Sequence, residues 1–146
     1  MTATTIGWRE WLALPQLGIA AIRAKIDSGA RSSALHVEEL STHYVDEVEV
    51  VRFSLHTGAN ERVVRCEATV LDRRPVTDSG GHTSERVFIR TELNLAGQCF
   101  PIEINLTNRR NMLFPMLLGR TAMAGRFLVD PERSFALGDR GEDSGP

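Results

Sequence analysis

The segment with the clearest potential for chemistry is residues 27–30, which read Asp-Ser-Gly-Ala. An apolar run at 19–26 precedes it and alternates as a strand does, so that strand would deliver Asp27 onto a tight turn. Gly29 lets another chain approach the backbone closely at this turn. The residues alone leave two interpretations open, a working carboxylate or an Asx turn in which Asp27 caps backbone N–H groups.

Metal and nucleotide chemistry lack their usual sequence signatures. A zinc-hydrolase helix of the form H-E-x-x-H is missing, and so is a phosphate loop of the form G-x-x-x-x-G-K-[ST]. The four histidines are scattered over segments that resemble strands or loops: His36, His43, His56 and His82. We therefore expect no metal site and no cofactor. Cys66 and Cys99 form no C-x-x-C pair, and we expect both to be small buried side chains.

The elements that must position residues 27–30 are mainly strands. Alternating apolar residues predict strands at 19–26, 49–55, 62–71, 87–95 and 100–106. The second and third of these form one hairpin, and the fourth and fifth form another. Between the hairpins, segment 72–86 holds Pro75 and the polar run 77–82, which predicts an exposed, flexible projection. A short helix is predicted at 120–124 and a weaker one at 8–14.

Composition limits both the architecture and the partners. The chain has 146 residues, 42% of them hydrophobic and 25% charged, which predicts one globular domain at 1–137 and a disordered polar tail at 138–146. Its net charge of −2 gives no overall attraction to nucleic acid or to an anionic membrane. Neither a membrane-spanning run nor a secretion signal is evident. We therefore expect a cytoplasmic protein that binds neither nucleic acid nor membranes.

Two further segments make the prediction from residues 27–30 more specific. Leu117 and Leu118 precede a second glycine and an arginine, and a glycine-rich tip lies between the two motifs. Together they resemble the pattern of retropepsin-like aspartic proteases. The likeness narrows to a bacterial family labelled ATP-dependent zinc protease, which includes RimB-type proteins found beside RimK-type glutamate ligases. The segments that carry it are 6–11, 24–36, 106–112, 114–121 and 127–131.

The resemblance implies a fold and a set of site residues. The fold is an all-β, retropepsin-like closed barrel with one short helix and one Asp-[Ser/Thr]-Gly motif per subunit. Asp27 is the catalytic carboxylate, Ser28 bonds across a dimer axis, and Gly29 and Ala30 contact substrate. The implied flap, which closes over an extended peptide, consists of Ser79, Gly80, Gly81 and His82.

Aspartic-protease chemistry needs two carboxylates so close that they share one proton. The ionised one takes a proton from water as the water attacks the peptide carbonyl, and the other one donates. A second Asp-Ser-Gly at 78–80 follows Arg74 and Pro75 rather than an apolar strand, so we interpret it as coincidental. A working site therefore requires a twofold symmetric homodimer in which the two copies of Asp27 meet.

The arginines depart from the pattern of viral retropepsins, which have an acidic residue directly after this segment. Here Arg31 stands there, facing an expected neighbour Arg120, so the usual salt bridge cannot form. These arginines, with Arg109, favour an acidic peptide substrate, such as a glutamylated tail of a ribosomal protein. The alternative is that Arg31 and Arg120 pair with acids such as Asp130, and that Arg109 is a solvated loop charge.

Two functions remain open from the sequence. The first is a homodimeric aspartic endopeptidase, a hydrolase independent of zinc, whose ATP dependence would belong to a partner glutamate ligase. The second is a noncatalytic binding module that grips acidic tails with Arg31, Arg109 and Arg120 and regulates that ligase, with Asp27 structural. Dimerisation separates them, because a monomer cannot bring two copies of Asp27 together.

Overall fold

A computed structural model of the chain describes residues 3–59, 62–78, 80–108 and 113–138. The strands are β1 (Thr4–Gly7), β2 (Arg9–Leu14), β3 (Ile19–Asp27), β4 (Ser33–Val45), β5 (Val48–His56), β6 (Val63–Thr69), β7 (Asp72–Thr77), β8 (Thr83–Leu95), β9 (Gln98–Asn108), β10 (Met116–Gly119) and β11 (Phe127–Asp130). A short 3-10 helix spans Pro15–Leu17, and helix α1 spans Arg120–Met123. In the described ranges, no helix is long and apolar enough to cross a membrane.

Six of the strands close into a ring. Their order is β10, β3, β2, β8, β9 and β4, and β4 pairs back onto β10. β10 closes the ring by lying parallel to β3 on one side and antiparallel to β4 on the other. Closure pairs the strand edges that an open sheet would expose. The predicted closed all-β barrel with one short helix is confirmed.

The remaining strands extend the barrel wall. β5 pairs with β4, β6 pairs with β5, and β7 pairs with the first half of β8. β1 and β11 form a separate parallel two-stranded sheet. Both predicted hairpins are confirmed as β5 with β6 and β8 with β9. The predicted strand at 19–26 is confirmed as β3, and the predicted helix at 120–124 as α1.

Side chains from the ring strands meet in an apolar interior. In β9 the buried members are alternate apolar residues: Phe100, Ile102, Ile104 and Leu106. Of the intervening residues, Pro101 and Glu103 are exposed, whereas Asn105 is buried. Burying each such apolar side chain stabilises the fold by about 1.5–3 kcal/mol, so this alternation fixes which face of the strand points inward.

The predicted weak helix at 8–14 is wrong, because this segment forms strand β2. Its buried residues alternate strictly, with Glu10, Leu12 and Leu14 inside. β2 pairs with β3 along most of its length and with β8 at Ala13. Apolar residues on both faces of the strand obscured the period of two, and pairing on both edges overrides local helix propensity.

The cysteine prediction holds for one residue and is wrong for the other. Cys66 is buried in β6, and burial raises the pKa of its thiol to about 11. Cys99 is exposed in β9, because it precedes the inward-facing Phe100 and the alternation turns it to solvent. The disordered tail predicted for 138–146 lies outside the described residues beyond Gly138, and the domain boundary at 137 stays a prediction.

Among the described residues, Glu10 is a buried carboxylate that joins β2 to the segment after β11. Glu10 has no exposed surface, and it accepts hydrogen bonds from the backbone N–H groups of Gly7 (2.6 Å), Ala136 (2.9 Å) and Leu137 (3.3 Å). Such bonds offset the cost of removing a carboxylate from water. They also hold the segment after β11 against β2. In the strand register Glu10 lies opposite Ala24 of β3.

Candidate active site

Residues 27–32, which we call the Asp27 loop, connect the end of β3 to the start of β4. Strand β10 lies between those two strands, with Gly119 opposite Asp27 in the register. The loop therefore bends around the end of β10, and its shape depends on the residues that follow this strand.

Gly119 is the point of closest approach. A Cβ atom there would lie 2.5 Å from the carbonyl carbon of Ser32 and 2.6 Å from its oxygen, so only glycine fits. The backbone N–H of Gly119 donates to Oγ of Ser33 at 3.0 Å. The glycine of the second motif is thus required by the close packing of two backbones.

The start of α1 holds the carbonyl groups of the loop. The backbone N–H of Arg120 donates to the carbonyl of Ala30 at 2.8 Å. Thr121 donates to the carbonyl of Arg31 from its N–H (3.2 Å) and from its Oγ1 (2.8 Å). The Arg120 guanidinium reaches the carbonyls of Ser28 (3.5 Å) and Gly29 (3.3 Å). Residues 119–121 therefore brace the whole loop.

Asp27 itself is half-buried at the strand end, and Ser28 and Gly29 beside it are exposed. Its Oδ1 accepts a hydrogen bond from the N–H of Gly29 at 3.0 Å, and its carbonyl accepts one from Ala30 at 3.2 Å. The Asx turn is therefore present. It orients the carboxylate and leaves part of it accessible, so this turn and a chemical role are compatible.

The arginines of the two motifs do not pair with acids in the described residues. Arg120 binds backbone carbonyls, as given above, and Arg31 is exposed. Asp130, the suggested partner, accepts instead from the N–H of Glu132 at 3.0 Å. The alternative pairing is thus not observed among the described residues. Arg109 lies outside them.

A network of polar side chains on the outer face of β9 supports the end of the Asp27 loop. Asn105 of β9 is buried and donates from Nδ2 to the carbonyl of Ser33 at 2.9 Å. Its Oδ1 accepts from Arg86 of β8 at 3.2 Å and from Thr107 at 3.3 Å. The sequence pattern does not predict these contacts. Ser33 is polar at a position where the alternation of β4 points inward, which is a usable signal, whereas Asn105 lies on the opposite face of β9 from Ile104 and Leu106 and gives none.

The predicted flap is a hairpin tip between β7 and β8. Gly80, Gly81 and His82 are exposed there, which confirms an exposed projection, whereas its flexibility stays a prediction. The Oδ1 of Asp78 accepts from the N–H groups of Gly80 (2.9 Å) and His82 (3.0 Å). Ser79 lies outside the described residues. No hydrogen bond between described residues joins this tip to the Asp27 loop.

A closed barrel that presents an Asp-Ser-Gly loop at a strand end, braced by a Gly-Arg segment, defines the retropepsin-like class. Residues 5–139 match the family model described as "Retropepsin-like aspartic endopeptidase RimB". The chain belongs to this RimB-like family of retropepsin-like aspartic endopeptidases.

Several curated relatives carry a different description. The chain is 46% identical over 140 residues to a protein of Parasynechococcus marenigrum, and 42% identical over 139 residues to one of Shewanella pealeana. Both relatives are named "Probable alpha-L-glutamate ligase". Each match covers 94% of this chain but 30% of the relative, so the chain spans less than a third of those proteins.

A solved structure shares the fold. It is a protein of unknown function from Legionella pneumophila, with a TM-score of 0.76 and 25% identity. The superposition covers 92% of this chain and 98% of the Legionella chain. The similarity therefore extends over nearly all of both molecules.

Proposed function

We propose that this chain is an aspartic endopeptidase that acts as a homodimer, with one Asp27 from each subunit forming the catalytic pair. The observation that carries the proposal is the state of Asp27. Its carboxylate lies at the end of a buried strand, is oriented by the N–H of Gly29 at 3.0 Å, and remains partly accessible. Among the described ion pairs, none involves Asp27. Its charge is available for chemistry.

A twofold dimer supplies the second carboxylate. The other Asp-Ser-Gly of the chain is a poor source, because Asp78 lies at the tip of the flap hairpin and no hydrogen bond between described residues joins that tip to the Asp27 loop. Isologous pairing brings the same residue of two subunits together on the axis. Two Asp27 carboxylates in contact on the axis would share a single proton, since both cannot remain ionised.

The reaction follows from that shared proton. The ionised Asp27 removes a proton from a water molecule, whose oxygen forms a bond to the peptide carbonyl carbon, while the protonated Asp27 gives its proton to the carbonyl oxygen. Proton transfer to the peptide nitrogen then breaks the C–N bond and leaves a carboxylate and an amine. Gly29 and Ala30, together with the flap, would hold the peptide as an extended strand.

The substrate we propose is an acidic, glutamate-rich peptide. Arg31 is an exposed residue of the Asp27 loop and has no acidic partner in the described part of the chain, which favours a negatively charged ligand. The relatives named as glutamate ligases support the same substrate class, because a glutamate ligase produces glutamate-bearing chains. A glutamylated ribosomal-protein tail in the cytoplasm, and a partner ligase, fit this proposal.

The test is cleavage of a protein that carries a C-terminal polyglutamate extension. Wild type and Asp27→Asn are compared by intact mass, with and without a chelator, and their oligomeric state is measured by sedimentation. Wild type should remove the extension as a dimer whether or not chelator is present, and Asp27→Asn should leave the extension intact. If neither protein cuts but both bind the tail, the endopeptidase proposal fails and a noncatalytic binding module becomes the better account.

A further inference from the structure

We propose that a cleft next to the Asp27 loop binds a carboxylate side chain of the peptide and so selects an acidic residue near the scissile bond. This inference rests on the proposed endopeptidase function and names the side chains that would set its specificity. We call the site the arginine cleft. Its principal lining residues are three arginines, one glutamate and two aromatic residues: Arg31, Arg74, Arg126, Glu103, Phe88 and Phe100.

The cleft has a size suited to one or two side chains. Its volume is about 260 Å³, and its walls come from the end of the Asp27 loop, the start of α1 and strands β7 to β9. Arg31 lies four positions after Asp27 in the sequence. Thr121 lines the cleft and donates two hydrogen bonds to the carbonyl of Arg31. These bonds fix the position of the cleft relative to the Asp27 loop.

One of the three arginines is already neutralised. Arg74 pairs with Asp72 at 2.9 Å and with Glu103 at 2.8 Å, and these hydrogen bonds raise the pKa of its guanidinium. Its guanidinium carbon also lies 4.3 Å from the centre of the Phe88 ring. Arg74, Asp72 and Glu103 together carry a net charge of −1 and form a satisfied wall, so the positive charge of the cleft comes from Arg31 and Arg126.

The other two arginines keep their charge available. Neither Arg31 nor Arg126 has a carboxylate partner among the described residues. The guanidinium of Arg126 stacks over Phe100, with its central carbon 3.9 Å from the ring centre. Stacking occupies the flat face of a guanidinium and leaves its N–H edge free, in the fork geometry that matches a carboxylate.

The surroundings favour an acidic side chain with an apolar stem. Phe88, Phe100 and Ile102 add apolar atoms to a lining that is mostly polar, and these atoms can contact the methylene groups of a glutamate. The whole chain has a net charge of −2, so the attraction is local to the cleft and does not come from the overall charge.

The test uses peptide pairs that differ by Glu or Gln at one position at a time around a cleavage site. Wild type should cleave the Glu peptide at least about tenfold better in kcat/KM at one of these positions, as expected for a charge-assisted bidentate contact. Arg126→Gln should lose that preference, so that the Glu and Gln peptides are cleaved with similar kcat/KM. Arg90→Gln removes the same charge from an exposed position of β8 outside the cleft and should keep the preference. Arg126→Glu should favour Lys at that position.

A binding measurement separates this inference from the proposed catalysis. Asp27→Asn is used as the parent, and fluorescence anisotropy at about 50 mM salt, where screening is weak, reports its affinity for the same labelled peptides. The parent should bind the Glu peptide at least about tenfold more tightly than the Gln peptide, and adding Arg126→Gln should abolish the difference. This holds even if wild type cuts nothing, in which case only the endopeptidase proposal fails.

Two results would overturn the arginine cleft. One is equal affinity of the parent for Glu and Gln peptides. The other is a preference for the Glu peptide that is as large in Arg126→Gln and in Arg31→Gln as in the control Arg90→Gln. Circular dichroism and the thermal midpoint of each variant exclude misfolding as the cause. Because Arg31, Arg90 and Arg126 are exposed, we expect both measurements to match wild type.

Discussion

The chain contains the same three residues twice, Asp-Ser-Gly at 27–29 and at 78–80, and the two copies have different structural roles. Locally they behave alike. Oδ1 of Asp27 accepts from the N–H of Gly29 at 3.0 Å, and Oδ1 of Asp78 accepts from the N–H of Gly80 at 2.9 Å. In both places the aspartate closes an Asx turn, which is the behaviour of this sequence in isolation.

The surroundings separate the two copies. The first follows the largely buried strand β3, lies against β10 and is braced by residues 119–121. In the second copy, Asp78 and Gly80 lie at the tip of a hairpin, next to the pair Thr77 and Thr83, whose hydroxyl groups lie 2.8 Å apart. The comparison teaches that the triplet specifies a turn, whereas a site also requires the strands and the second motif around it.

Exchange of each aspartate for asparagine is the strongest test of this difference. Asp27→Asn should lower kcat by about a thousandfold or more, because the shared proton of the carboxylate pair is lost. Asp78→Asn should change kcat by less than about twofold, because an asparagine oxygen still closes the turn. Both are measured by the rate of polyglutamate removal. Comparable losses in the two variants would contradict the assignment of chemistry to the first triplet alone.

Much of the barrel could be predicted from the sequence because its strands obey one simple rule. In β3 and β9 one face is uniformly apolar, so the period of two is unmistakable, and in the β8–β9 hairpin a short turn fixes which strand pairs with which. Asp27 could be found for a related reason. The end of an apolar strand and the glycine of the second motif are both visible in the sequence.

The parts that escaped prediction depend on contacts between distant segments. β2 carries apolar residues on both faces, so pairing with β3 and β8 decides its structure. From the sequence Glu10 looks like a surface charge, and only the backbone N–H groups of residues 136–137 explain its burial. The arginine cleft brings Arg31 together with Arg126, which is ninety-five positions away in the sequence. No local pattern reports such pairs.

Removal of the Glu10 carboxylate tests the anchor of β2, which pairs with the strand that precedes the first triplet. Glu10→Ala leaves three backbone N–H groups without their acceptor and should lower the free energy of unfolding by about 2–4 kcal/mol. Glu10→Gln keeps one acceptor oxygen and should cost about half as much. Urea unfolding followed by tryptophan fluorescence measures both. A loss below about 0.5 kcal/mol for Glu10→Ala would show that this anchor does not stabilise β2 and β3.

A methyl group at Gly119 tests the brace itself. In Gly119→Ala the new Cβ meets backbone atoms of Ser32 at 2.5 and 2.6 Å, so the Asp27 loop must shift and the free energy of unfolding should fall by about 1–3 kcal/mol. Activity at a temperature where the variant is folded should fall as well. Gly97→Ala is the control, because its Cβ meets nothing within 4 Å and only its positive φ of 75° is strained, at about 1 kcal/mol. Equal activity in the two variants would contradict the role of Gly119 in shaping the site.

The smallest expected effect is a pH dependence confined to the hairpin that carries the second triplet. Arg73 of β7 donates two hydrogen bonds to the carboxylate of Glu49 in β5, and this guanidinium lowers the pKa of Glu49 from its ordinary value of 4.5. Because the folded state holds the ionised form, the contribution is complete above pH 4.5 and is lost as the pH falls through the lowered pKa.

Amide hydrogen exchange, corrected for the intrinsic dependence on pH, measures this effect. In β7 the protection should decrease below pH 4.5 in wild type, and Glu49→Gln should show the weaker protection at every pH. The Asp27 loop is braced by backbone groups that do not titrate, so the same change should not alter its protection. An identical pH response of β7 in wild type and Glu49→Gln would show that this ion pair does not stabilise the hairpin. The difference between the two triplets would then depend only on the contacts of residues 119–121 with the Asp27 loop.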